Sequence, residues 1–260
     1  MLKGIIFDLD DTLLNDKKSI EAAFHATVEL AVQKYSIDGD LLKEKVREWA
    51  RKQYATYSTY DFTREIGINP FEGLWGTFED KGEDFQALHK IAPDYQRIVW
   101  REGLEALGIR DDDLSNELAK AFPAFRKQHP FVFEDTFTVL NQLKDNYQLV
   151  MLTNGSPSLQ KTKLELTPAL LAYFDTIFIS GDFGIGKPDP SLFNYLLEET
   201  GLTTSNSIMV GDNLNTDILG ANRVGMKNVW INRNNQKTKE IQPTYEIDKL
   251  VELVPIINSL

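Results

Sequence analysis

The sequence predicts an α/β protein: a doubly wound, mainly parallel sheet with an α-helical domain inserted early in the chain. Three observations carry this. A β-like run, Leu2–Asp8, opens the chain. Only helical patterning follows it from about Ser19 to Gln128. Beyond His129-Pro130, short Ile/Val/Leu runs alternate with helical stretches, the pattern of a parallel sheet covered on both faces. The economical arrangement joins the first strand to the later ones. Residues 1–16 and 130–260 then form the α/β core, and residues 17–129 form the helical insert.

The insert should begin with a helix over Ile20–Tyr35, where Ile20, Phe24, Thr27, Val28 and Ala31 repeat at helical spacing. Leu41–Tyr60 reads as a second helix, and Gln86–Leu107 and Leu114–Phe125 as two more. Gly67, Pro70, Gly73 and Gly76 punctuate a loop between them. Asp111-Asp112-Asp113 suits a helix N-terminus, where negative charge meets the dipole. The aromatic cluster Trp49, Tyr54, Tyr57, Tyr60 and Phe62 is expected to form the insert's own core. Arg47, Arg51 and Arg64 are expected to be solvated.

In the second half the predicted order is helix Thr136–Lys144, strand Leu149–Leu152, helix Leu159–Leu171 broken at Pro168, and strand Thr176–Ile179. A helix Pro190–Glu199 comes next, with Asp189 as N-cap, Pro190 at its first position and Gly201 after its end. Strand Ser207–Val210, helix Asp217–Val224 and strand Asn228–Ile231 complete the pattern.

Composition narrows the function. The chain has 260 residues, 42% of them hydrophobic, and a formal net charge of -11. Such an acidic surface argues against nucleic acid polymers and anionic membranes as partners. No stretch approaches the roughly 18 apolar residues of a membrane span. There is no cysteine, which excludes thiol catalysis and thiolate metal sites and suits the cytoplasm. His25, His89 and His129 have no metal-ligand spacing, so a zinc site is not expected.

Chemistry should gather where strands end, because open α/β sheets bind ligands beyond their C-terminal edges. Four such ends carry suitable residues. The first is Asp8-Leu9-Asp10-Asp11, hard against the apolar Ile5-Ile6-Phe7. In an extended segment Asp8 and Asp10 share a face, so they need a cation or a proton between them. The others are Thr153-Asn154-Gly155-Ser156, Lys187-Pro188, and Gly211-Asp212 with Asp217. Asp8 and Asp212 offer hard oxygen ligands suited to Mg²⁺. Lys187 adds a fixed positive charge, Thr153 a hydroxyl, and Ser156-Pro157 a helix start that favours anions. Together these make a phosphoryl-transfer site. Asp8 can attack phosphorus, and Asp10 can protonate the leaving oxygen and later deprotonate water. Asp11 reads as a solvated loop acid.

These motifs, Asp8-Leu9-Asp10-Asp11-Thr12, Thr153-Asn154, Lys187-Pro188 and Gly211-Asp212-Asn213-Leu214-Asn215-Thr216-Asp217, resemble those of haloacid dehalogenase (HAD) superfamily phosphatases in kind and order. The resemblance covers the core and fades through the insert, which would be the cap domain on a HAD-like Rossmannoid core. It implies Asp8 as nucleophile, Asp10 as general acid/base, and an aspartyl-phosphate intermediate. It implies Mg²⁺ held by Asp8, the main-chain carbonyl of Asp10, and Asp212, with Asp217 supporting the ion or its waters. Thr153, Asn154 and Lys187 would bind phosphate. Leu152-Thr153-Asn154-Gly155, Ser158-Leu159-Gln160 and Gly184-Ile185-Gly186-Lys187-Pro188 are similar to bacterial nucleotidases of the superfamily.

The expected activity is therefore hydrolysis of small phosphorylated metabolites, nucleotides among them, with phosphoserine and sugar phosphates as alternative substrates. A 2-haloacid dehalogenase would place an uncharged residue at Asp10 and need no metal. A receiver-like phosphoacceptor module would carry its acceptor on a middle strand, not on the first.

Overall fold

The computed structural model of the chain describes residues 1–238 and 240–260. Strand β1 is Gly4–Phe7. Helices α1 (Asp16–Tyr35), α2 (Gly39–Tyr54), α3 (Tyr60–Ile66), α4 (Pro70–Gly73), α5 (Glu83–Glu105) and α6 (Asp112–Gln128) follow. Then come α7 (Thr136–Leu143), β2 (Gln148–Thr153), α8 (Pro157–Glu165), β3 (Thr176–Ile179), α9 (Ser180–Phe183) and α10 (Pro190–Thr200). The last elements are β4 (Ser207–Gly211), α11 (Leu219–Arg223), β5 (Lys227–Ile231), β6 (Tyr245–Ile247) and α12 (Leu253–Asn258). The chain divides into two compact units. One comprises Met1–Asn15, Val132–Gln160 and Thr167–Leu260; the other comprises Asp16–Phe131 and Lys161–Leu166. The membership of Lys161–Leu166 in the helical unit was not expected from the sequence.

The first unit is built on a six-stranded, all-parallel sheet in the order β3-β2-β1-β4-β5-β6. Ile6, Val150, Leu152 and Met209 pack on one face with Leu192, Phe193 and Leu196 of α10 and Ala221 of α11. The alternate residues Ile5, Phe7, Leu149, Met151, Ile208 and Val210 point to the opposite face and are equally buried. Burial on both faces is why these strands read as continuous apolar runs. The chain proceeds from β1 to one edge through β2 and β3, then from β4 to the other edge. The order therefore reverses at the central strand β1, the switch point where a crevice opens.

In the helical unit α1 packs along α6 and α2 along α5. Phe24 and Phe122 meet at 4.6 Å between ring centroids, and Tyr54 and Tyr95 at 5.2 Å. Gly103 lets α5 approach α2 closely: a Cβ there would lie 2.5 Å from Val46 Cγ2. Two buried ion pairs join distant segments of this unit, Arg126 to Asp16 at 2.7 Å and Lys163 to Glu72 at 2.9 Å. Burial works against the Asp16 carboxylate, yet Lys163 and Arg126 outweigh it and hold its pKa below the usual range. Arg47 pairs with Glu21 and lies 4.8 Å over the Phe24 ring, so it is not simply solvated. Tyr54 is buried, as a core role requires, while Arg51 and Arg64 line a cavity of about 430 Å³ beside Tyr54 and Tyr60.

Several stretches depart from the sequence expectation for local reasons. Leu41–Tyr60 is not one helix. The Thr56 hydroxyl donates to Gln53 O at 2.7 Å, a local bond that competes with helix continuation, and α3 starts afresh at Tyr60. The stretch punctuated by Gly67, Pro70, Gly73 and Gly76 holds α4. Asn69 caps it, Pro70 sits at its first position, and Glu72 returns a bond to Asn69 N at 3.0 Å. The helix expected from Asp217 begins earlier, as a wide turn over Leu214–Ile218 that runs into α11. Helix α9, strand β6 and helix α12 lie where no element was predicted. Among the described residues, no helix is long and apolar enough to cross a membrane.

Candidate active site

The site is assembled from three adjacent strand ends and one loop. Asp8 follows β1 and stays in the ladder, its N–H donating to Val210 O at 2.9 Å. The chain then turns sharply: Leu13 N and Leu14 N both donate to Leu9 O at 2.9 Å. Asp11 takes a positive φ of 61° inside this turn, a conformation that aspartate tolerates better than most residues. That explains the third acid of the cluster as a turn residue.

Lys187 sits at the centre. Its side chain is 1% exposed, and Nζ lies 2.7 Å from each of Asp8 Oδ1, Asp217 Oδ1 and Leu152 O. Three acceptors satisfy the three ammonium hydrogens. Burial disfavours the charge, but Asp217 and Asp8 together raise the lysine's pKa above its ordinary value. The lysine is itself held by Asn154. Asn154 Oδ1 accepts from Lys187 N, and Asn154 Nδ2 donates to Lys187 O, both at 2.9 Å. Asn154 thus serves as a clamp on the Lys187 backbone.

The remaining acids close around this ammonium. Asp8 Oδ2 accepts from Thr12 Oγ1 at 2.9 Å. Asp217 is buried, and its Oδ2 accepts from Asn213 N at 3.1 Å. Burial pushes its carboxyl up to about 6, with Lys187 opposing and Asp8 adding to the rise. Asp212 is anchored through its carbonyl, which accepts from Trp230 Nε1 at 2.8 Å. Carboxylate oxygens of Asp8, Asp212 and Asp217 all lie within 4.8 Å of one another. This is a hard, all-oxygen donor set of the kind Mg²⁺ takes.

Gly211 is required by this arrangement. A Cβ at that position would lie 2.2 Å from Asp217 Oδ2 and 2.4 Å from its Cγ. Gly211→Ala is expected to displace the Asp217 carboxylate and lower stability by about 1–3 kcal/mol, measured by urea unfolding. An unchanged midpoint would mean that Asp217 can move aside freely.

Every residue singled out from the sequence, Asp8, Asp10, Thr153, Asn154, Lys187, Asp212 and Asp217, lies at this end of the sheet. Three contributors were missed. Thr12 bonds the Asp8 carboxylate. Arg233 donates to Thr12 O at 3.2 Å and stacks 3.6 Å over the Phe133 ring. Gln160, fully buried on α8, donates to Asp10 Oδ2 at 2.9 Å and to Thr153 Oγ1 at 2.6 Å. The Thr153 hydroxyl therefore acts here as an acceptor.

A family model for haloacid dehalogenase-like hydrolases matches residues 2–225. The chain belongs to that family. A phosphoserine phosphatase of Thermus thermophilus is 33% identical over 253 residues, covering 97% of this chain and 98% of the relative. The pyrimidine 5'-nucleotidase YjjG of Escherichia coli is 36% identical over 188 residues, 67% of this chain and 81% of the relative. Among solved structures, the putative HAD-hydrolase YfnB of Bacillus subtilis, described as bound to magnesium, superposes with a TM-score of 0.66. It is 26% identical and covers 99% of both chains. This HAD hydrolase is thus an enzyme with phosphatases among its relatives.

Proposed function

We propose that this HAD hydrolase is a Mg²⁺-dependent phosphomonoesterase that works through an aspartyl-phosphate on Asp8. The observation that carries the proposal is the placement of Asp8. Its carboxylate is held by Lys187 and Thr12 and has Asp212 and Asp217 beside it. Asp8, Asp212 and Asp217, with the main-chain carbonyl of Asp10, would hold Mg²⁺. When bound, the ion supplies positive charge against the phosphoryl oxygens and the clustered acids.

The chain's own residues do the rest. Lys187 pairs with the Asp8 carboxylate, which attacks phosphorus in line with the leaving oxygen. Thr153 and Lys187 are assigned to binding the transferring group, and Asn154 to fixing the lysine, whose backbone it bonds. Asp10 gives a proton to the leaving oxygen and later takes one from the water that hydrolyses the acyl phosphate. The helical unit is assigned the role of cap domain. The substrates proposed are small phosphorylated metabolites, with nucleotides and phosphoserine, named for two of the relatives, to be tried first. Sugar phosphates complete the set to be ranked, and the cytoplasm is the proposed compartment.

The test is release of p-nitrophenol from p-nitrophenyl phosphate with and without Mg²⁺. Asp8→Asn is expected to lower turnover on the order of 10⁴-fold or more, because the variant cannot form the acyl phosphate. Turnover that persists in Asp8→Asn, or that ignores Mg²⁺, would sink the proposal.

A further inference from the structure

We infer that Gln160 is a positioning residue for Asp10, holding the carboxyl group at one fixed angle to the leaving oxygen. This rests on the phosphatase reading and adds to it a residue from outside the strand-end motifs. Gln160 is 0% exposed on the first turns of α8, where its N–H donates to Ser156 O at 2.9 Å. Its Nε2 donates one hydrogen to Asp10 Oδ2 at 2.9 Å and the other to Thr153 Oγ1 at 2.6 Å. The amide therefore ties the loop after β1 to the end of β2. Rotating it by half a turn would set Oε1 against a carboxylate, so a single orientation is favoured.

The backbone is shaped around this side chain. Gly155 has a φ of 139°, and a Cβ there would come within 3.2 Å of both Cγ and Cδ of Gln160. The same glycine is anchored by its N–H, which donates to Ser180 Oγ at 2.9 Å. Gln160 Oε1 is buried without a partner among the described residues. An orphaned buried acceptor detracts from stability, and an apolar side chain of this size would avoid it. Such local conflicts are tolerated where function requires the polar group.

The chemistry explains what the group is for. As the bond between Asp8 and phosphorus forms, the bond from phosphorus to the leaving oxygen breaks. Its electron pair goes to that oxygen, which takes the proton from Asp10. Donation by Gln160 to Oδ2 fixes the plane of the carboxyl group that carries this proton. Without the amide, the Asp10 carboxyl group loses this restraint, and misplacement on the scale of an ångström is costly for proton delivery.

The test compares phenyl phosphate with p-nitrophenyl phosphate. Phenol is a far weaker acid than p-nitrophenol, so its departure depends more on a placed proton donor. In Gln160→Met, kcat/KM is expected to fall for both esters, and about 10-fold further for phenyl phosphate. Gln160→Asn, which keeps the amide but cannot reach, should show the same selectivity, and thermal melts establish that each variant is folded. Equal falls on both esters, or no fall, in whichever variant is folded would overturn the inference while leaving the phosphatase proposal standing. A wild-type enzyme that hydrolyses neither ester would bring down both.

Discussion

Lys187→Met is expected to abolish turnover and to destabilise the protein by about 3–5 kcal/mol, the range for removing one partner from a buried ion pair. The ammonium is 1% exposed and stands 2.7 Å from two carboxylates and a carbonyl. Methionine matches the stem in length but brings no charge. Asp8 and Asp217 would then face each other, with Asp212 close by, and Leu152 O would lose its donor. The clustered carboxylates would lose their buried cation, and under the proposed role the phosphoryl group would lose its positive partner. Turnover of p-nitrophenyl phosphate should fall by on the order of 10³-fold or more, comparable to the loss of a preorganised charge stabiliser.

The two losses have different remedies, which separates them. Under the proposed role Mg²⁺ binds the folded state and supplies cationic charge to the same acids. It should therefore restore part of the lost stability in urea unfolding. It should not restore turnover, because the phosphoryl group would still lack the lysine proposed to bind it. A variant with an unchanged urea midpoint in EDTA would show that the buried carboxylates do not depend on Lys187.

The parts of this site legible in the sequence share one property: their chemistry conflicts with their local surroundings. Asp8 and Asp10 follow a fully buried apolar strand, and Asp212 follows another. Charge at the end of a buried strand is a contradiction that a reader of the sequence can see. Gln160 and Lys163 offer a fainter version of it. Gln160 lies one helical turn before Leu164, on the stripe that faces inward, so it is a polar residue at a core position. Its two acceptors are 150 and 7 residues away in the chain, beyond what helical spacing can indicate. Lys163 is in the same position with Glu72, a partner 91 residues distant. The sheet was legible because burial on both faces writes continuous Ile/Val/Leu runs. The three residues of β6 are too few to write one. Helix α4 is set by one capping box rather than by periodicity, so Pro70 and Gly73 read as punctuation.

Asp217→Asn is expected to make the metal-free protein more stable above about pH 6, the reverse of what a ligand for a structural cation would suggest. The folded protein holds the Asp217 proton more tightly than the unfolded chain does, because burial lifts its carboxyl from 3.8 to about 6. Asp8 adds to that rise and Lys187 opposes it. Wherever the folded state binds more protons, stability falls as pH rises. The penalty therefore accumulates from about pH 4 to about pH 6 and persists above. A shift of about two units corresponds to about 3 kcal/mol at roughly 1.4 kcal/mol per unit. Asparagine does not ionise, so the variant's stability in EDTA should lack this decline, and its urea midpoint should exceed that of the wild type near neutral pH. Lys187 keeps Asp8 as its counter-charge in the variant, which leaves one ammonium against one carboxylate. Adding Mg²⁺ should invert the order. Under the proposed role the wild type has one more carboxylate for the ion, and it gains more from binding. A wild type more stable than the variant at every pH in EDTA would show that Lys187 alone neutralises Asp217, and that the excess of buried acid is not held there for a cation.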